Sequence, residues 1–185
     1  LVTTINEDGT VQLSTMGPLV ERDFRCLLRR PYQTSRTFAN LRRAREGVFH
    51  VTDNVEMIAR AAVGQLADPP ETKPSRLIDG AILVDACRWY AFRVQSIDSS
   101  QARADVSCLV VASQRQRDFF GFNRAKHAVV EAAILATRLT LLPPDHIREE
   151  FARLATLVEK TGGECECRTF AYLERTVRKQ LDEQR

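Results

Sequence analysis

The first half of the chain reads as β-rich, with alternating apolar and polar runs, and in the last third apolar positions recur every third or fourth residue. Val2 to Ile5 is a short apolar run, and Asn6-Glu7-Asp8-Gly9 after it is a turn in which Gly supplies the positive φ. Val11 to Met16 alternates apolar and polar, which predicts a hairpin with the first strand, ended by Gly17-Pro18. Phe24 to Leu28 predicts a third strand leading into Arg29-Arg30-Pro31. Thr37 to Arg45 predicts a short helix, with Thr37 as N-cap, Phe38 and Leu41 on one face and Gly47 as the stop. Val48 to Val51 is a further strand, and Asp53-x-x-Glu56 opens a helix running to about Val63. Three prolines between Asp68 and Ser75 predict a loop without regular structure. Tyr90, Phe92 and Val94, then Ala104, Val106, Cys108 and Val110, alternate on either side of the turn Asp98-Ser99-Ser100 and predict one long hairpin.

From Asn123 the period changes. Asn123 is a good N-cap for a helix from Arg124 to Leu142, apolar on most sides and broken by Pro143-Pro144. Ile147, Phe151, Leu154 and Val158 form one helical stripe that stops at Gly162-Gly163, and Phe170, Leu173, Val177 and Leu181 form another. The expected organisation is α+β, a mostly antiparallel β domain over residues 1–122 and a C-terminal helical segment over residues 123–185. The single apolar stripes need one another or a second subunit to cover them.

Composition narrows the class without choosing a function. With 185 residues, 44% hydrophobic and 28% charged, the chain can bury a core of ordinary size. No apolar run approaches the roughly 20 residues of a membrane-spanning helix, so no membrane partner is expected. A net charge of +3 gives no reason to expect a nucleic-acid partner. Five cysteines with no framework spacing, and no H-x-x-H or C-x-x-C, argue for reduced thiols in a cytoplasmic protein and for no metal site. The chain opens without Met on a strand already under way, so its natural start is expected upstream.

One segment concentrates chemistry. Gln33-Thr34-Ser35-Arg36-Thr37 follows a strand and opens a helix, offering an amide, three hydroxyls and a guanidinium. Backbone N–H groups at a helix start carry partial positive charge, and with hydroxyls and an Arg fork they make a cradle for a phosphate. The same residues also read as a plain helix cap beside a solvated arginine edge.

The order of these pieces resembles the FMN-binding split barrels, which include pyridoxamine phosphate oxidase-like and flavin reductase-like proteins. In the former a Ser-Arg-Lys segment at this place binds the FMN phosphate. Ser35, Arg36 and Thr37 match it, with Thr37 replacing a cation. The chain is more closely similar to a domain-of-unknown-function family of split barrels with a helical C-terminal extension. The residues that carry this likeness are Val2 to Thr10, Met16-Gly17, Ser35-Arg36-Thr37 with Asn40-Leu41, Val51-Thr52-Asp53, and Asn123 to Ala128 with Glu131-Ala132. The resemblance implies a homodimer with FMN at its interface. Ser14, Thr15 and Met16 would lie beside the flavin ring, and Gln33 to Thr37, helped by Arg29 or Arg30, would hold the phosphate. It also implies a flavin-dependent oxidoreductase of unknown substrate, or else a non-catalytic flavin- or haem-binding module.

A second cluster is Asn123, Arg124, Lys126 and His127. His127 and Glu131 are four apart and share a helix face. Arg124 and Lys126 crowd a helix N-terminus, which the dipole disfavours, and this points to an anionic partner such as a substrate carboxylate. A surface helix start with a His–Glu pair is the plainer reading.

Overall fold

The computed structural model describes residues 1–66 and 69–183. The chain divides into two compact units, Leu1–Thr52 with Asp68–Phe119, and Asp53–Ala67 with Phe120–Arg185.

The first unit is built on an antiparallel sheet of seven strands: β1 (Val2–Ile5), β2 (Val11–Ser14), β3 (Leu19–Val20), β4 (Cys26–Arg29), β5 (Glu46–Val51), and the long pair β8 (Arg88–Asp98) and β9 (Asp105–Arg115). Their order across the sheet is β2-β1-β5-β8-β9-β4-β3. The two edge strands are therefore consecutive in sequence, joined only by Thr15–Pro18. Laid flat, strands separated by six intervals of ~4.8 Å would stand about 29 Å apart. The five Cα–Cα steps from Ser14 to Leu19 span at most ~18 Å. The sheet must therefore roll until its edges approach one another, leaving a seam bridged by this link.

Alternation sorts the side chains onto two faces. Val2, Leu27, Phe49, Phe92, Val94, Val106 and Cys108 fill the interior, and α1 (Arg36–Ala44) adds Phe38 and Leu41 to it. On the outer face Val48, Trp89 and Ala91 pack with Ile78 and Ile82, on and beside the small hairpin of β6 (Thr72–Pro74) and β7 (Ala81–Leu83). The first strand of that hairpin, β6, lies within the stretch expected to be a loop. Pro74 fits because β6 pairs on one side only and needs no second ladder donor there. The expected start of that loop, Asp68, lies outside the described residues.

Local signals shift by a few residues. The N-cap of α1 is Ser35, whose Oγ accepts from Phe38 N at 3.2 Å, whereas the expected cap, Thr37, is buried inside the first turn. The helix ends at Arg45 in the left-handed region at φ 60°, before Gly47, which lies within β5.

The second unit is helical. It comprises α2 (Val55–Ala62), α3 (Arg124–Ala136), α4 (Pro144–Thr161) and α5 (Glu164–Glu183). Asn54 caps α2 by accepting from Met57 N at 2.9 Å, in place of the expected Asp53. A boundary at residue 122 would leave α2 with the strands, but its Val55 and Ala59 bury themselves with α3, α4 and α5. The buried face of α3 is almost all alanine, and small side chains let several helices approach it closely. The helix stops at Ala136, short of the expected Leu142. There Thr137 Oγ1 donates to the Ile134 carbonyl at 2.7 Å, competing with helical hydrogen bonding. The α4 and α5 stripes are both buried as the spacing predicted. Among the described residues no helix is long and apolar enough to cross a membrane.

Candidate functional site

Of the residues singled out in the first unit, Ser14, Thr15 and Met16 lie at its seam. Ser14 ends β2 at the open edge of the sheet, and its Oγ is buried with no hydrogen-bond partner among the described residues. Thr15 is exposed, and Met16 packs on the interior cluster that also holds Phe38 of α1. Helix α1 is tied to the neighbouring strand, where Asn40 Nδ2 donates to Thr4 Oγ1 at 3.0 Å and to Asn6 Oδ1 at 2.8 Å. These bonds set α1 beside the end of β1 and the β1–β2 turn, while Ser14 pairs with Val2 at the other end of that hairpin.

Tyr32 to Ser35 form a tight turn closed by Ser35 N donating to the Tyr32 carbonyl at 3.0 Å. Thr34 and Arg36 are exposed at the start of α1, where no acidic residue occupies the first turn. Ser35 Oγ accepts the capping bond, so its proton remains free to be donated outward. The charge of Arg36 reaches Asp8 in the β1–β2 turn. The carboxyl of Asp8 is held below its ordinary range chiefly by hydrogen bonds from Thr10, with Arg36 a smaller contributor.

Gln33 and the two arginines before it face elsewhere. Gln33 Nε2 donates to the Ser99 and Gln101 carbonyls at 2.8 and 2.7 Å, turning the amide toward the β8–β9 turn. Arg30 pairs with Asp105 at 2.9 Å. Arg29 shares the inward face of β4 with Leu27 and is fully buried, so it does not reach a surface phosphate. Two residues of this region carry no signal in the local sequence. Arg103 lies over the exposed ring of Tyr32 at 4.1 Å from its centroid and donates to Tyr32 Oη at 2.8 Å. The two are 71 residues apart, and only the fold brings them together.

The second cluster is partly structural. Asn123 Oδ1 accepts from Lys126 N at 2.9 Å as the cap of α3. Lys126 Nζ donates to Glu166 Oε1 at 2.8 Å and to the Asp53 carbonyl at 3.0 Å. Arg124 and His127 are exposed, and the His127 ring lies 6.0 Å from that of Phe122. Among the described residues His127 and Glu131 make no hydrogen bond of the expected kind, and no group of three or more His, Cys, Asp or Glu side chains could hold a metal ion.

An antiparallel sheet rolled to a seam, with a helix tied to β1, defines a split β-barrel, here followed by a helical unit. The FMN-bound protein MM1853 from Methanosarcina mazei has this fold, with a TM-score of 0.80 at 17% identity over 95% of this chain and 92% of that one. The chain is also similar to the styrene monooxygenase flavin reductase of Pseudomonas putida S12, with TM-score 0.53 at 13% identity over 63% of this chain and 79% of that one. The 2-nitrobenzoate 2-nitroreductase NbaA of Pseudomonas fluorescens gives TM-score 0.52 at 17% identity over 62% of each chain. The chain belongs to the DUF447 family of proteins of unknown function. The family's N-terminal domain matches residues 1–117 and its C-terminal part matches residues 123–175. No curated protein matches the sequence.

Proposed function

We propose that this chain is an FMN-binding flavoprotein and acts as a flavin-dependent oxidoreductase, as a cytoplasmic homodimer with the flavin at the interface. The observation that carries this reading is the likeness, over nearly the whole chain, to a protein of the same family solved with FMN bound. The residues at the seam fit that group. The orphaned Ser14 Oγ is a buried donor in need of an acceptor, which the polar edge of an isoalloxazine ring provides. Thr34, Ser35 and Arg36, with the first N–H groups of α1, offer several donors and one cation to a phosphate dianion.

Each part of the chain has one task in this reading. The backbone of Ser14 to Met16 orients the ring beside the seam, and the side of Met16 packed on the barrel interior keeps water from that edge. Arg36 neutralises the phosphate, and Ser35 both caps the helix and donates to the phosphate. Thr37 is buried and supports the turn from behind. Bound FMN supplies the redox chemistry, and the protein supplies orientation and electrostatics. Arg124 and His127 in the helical unit, beside the exposed Phe122, are the residues we assign to an anionic group of a small-molecule substrate.

Purified protein is expected to be yellow, with FMN identified by mass spectrometry of the released small molecule. Bleaching of that colour by NADH or NADPH marks an enzyme, whereas a colour stable to both marks a non-catalytic flavin module. The double variant Ser35→Ala, Arg36→Ala should lose bound flavin while keeping its circular dichroism spectrum. Unchanged flavin occupancy in that variant would refute the site.

A further inference from the structure

We infer that Gln33 and Arg103 are positioning residues that hold the phosphate cradle in shape by clamping it to the β8–β9 turn. The inference rests on the flavin reading above and assigns that site a second supporting element, residues 99–103.

The clamp is dense for a surface feature. Two backbone hydrogen bonds join the segments between the strands there, Gln33 N to the Ala102 carbonyl at 3.3 Å and Ala104 N to the Pro31 carbonyl at 3.0 Å. Gln33 Nε2 then donates both of its protons, one to the Ser99 carbonyl and one to the Gln101 carbonyl. Arg103 stacks on Tyr32 and donates to its hydroxyl. Tyr32, Gln33 and Arg103 are all exposed, so burial of apolar surface does not drive these contacts. Each orders a long, solvated side chain, and ordering such side chains costs conformational entropy. The contacts converge on one outcome. They fix the first two residues of the turn Tyr32–Ser35, whose last residue caps α1 and presents the remaining donors.

The chemistry of Gln33 separates this role from direct binding. With both amide protons committed to carbonyls, the group left over is Oε1, an acceptor, which cannot donate to a phosphate. Gln33 therefore acts through Thr34, Ser35 and Arg36. A cradle of this kind must be preorganised, because donors that have to be ordered on binding lose affinity.

The test compares two ligands that share the ring and differ in the phosphate. Apo forms of the full chain and of the variants Gln33→Ala, Arg103→Ala and Arg36→Ala are titrated with FMN and with riboflavin by quenching of flavin fluorescence, and each variant's fold is checked by circular dichroism. Loss of the two side-chain hydrogen bonds in Gln33→Ala is expected to weaken FMN about tenfold and to leave riboflavin affinity unchanged, with Arg103→Ala changing the ratio in the same direction. Parallel weakening of both ligands, or an unchanged ratio in both Gln33→Ala and Arg103→Ala while Arg36→Ala lowers it, overturns the clamp and leaves the phosphate site standing. An unchanged ratio in Arg36→Ala overturns the phosphate reading, and the clamp with it.

Discussion

The Arg29 guanidinium lies 4.5 Å from the centroid of the Phe92 ring, fully buried, with none of its three nitrogens hydrogen-bonded among the described residues. Phe49 faces it at 5.3 Å, and the Cys108 thiol is a polar neighbour. Burial pulls its pKa down to about 10, against a smaller opposing effect of Cys108. A cation held this way loses hydration worth several kcal/mol, and aromatic faces return only ~2 kcal/mol. Arg29→Met, which keeps the length and removes the charge, should therefore raise stability by about 1–4 kcal/mol. Urea denaturation reads the change, and a lower midpoint in Arg29→Met would show that an unseen counter-group stabilises the charge.

His50 gives the fold a dependence on acid. Its Nε2 accepts from Leu83 N at 3.1 Å, and its pKa is pushed down to about 3, first by burial, with Arg29 a smaller contributor. Because the folded value lies below the unfolded one, the unfolded chain binds more protons between them. This contribution is complete above about pH 6.5 and is lost as pH falls toward 3, at roughly 1.4 kcal/mol per pH unit. His50→Gln, which keeps an acceptor for Leu83, should flatten the stability profile between pH 6.5 and 4.5, above the ordinary range of carboxylates. An equal slope in the variant would assign the acid sensitivity to other groups.

Gly47 sits opposite Phe92 in the β5–β8 ladder, and a Cβ there would stand 2.7 Å from Phe92 Cζ and 3.1 Å from the Thr3 carbonyl oxygen. Gly47→Ala should cost about 1–3 kcal/mol by overpacking, measurable as a lower thermal midpoint. The wild-type midpoint in that variant would mean the ring has room to move.

In the helical unit, Glu166 is held below its ordinary range first by its hydrogen bond from Lys126, while burial opposes the shift. The pair is mostly buried, with side-chain exposures of 19% for Lys126 and 11% for Glu166. Lys126→Met strands the carboxylate and should destabilise by roughly 2–3 kcal/mol at neutral pH. Adding Glu166→Gln should recover part of the loss, and failure to recover any would show that Lys126 acts through packing or its bond to Asp53.

What the sequence disclosed follows from which interactions are local. The β8–β9 hairpin and the α4 and α5 stripes were legible because alternation and helical spacing repeat over many residues. Strand β3 has two residues and β6 ends in proline, so neither leaves a pattern. Val55 and Ala59 mark an apolar face of α2 without saying which unit will cover it. Arg29 ends a strand before Arg30-Pro31 and reads as the exit to solvent, yet its parity with Leu27 turns it inward. The Ser35–Arg36 segment was visible, but the partners of Gln33 and Tyr32 come from residues some 70 positions away, which no local rule reaches.

The link from Thr15 to Pro18 fastens the barrel in a way no ladder does. Every other neighbouring pair of strands in the sheet is zipped by amide hydrogen bonds, whereas here a short tether limits how far two walls can part. Its length is a gauge. Residues added between Met16 and Pro18 would widen the opening without disturbing any strand pairing, and this opening is where we propose that the flavin ring lies.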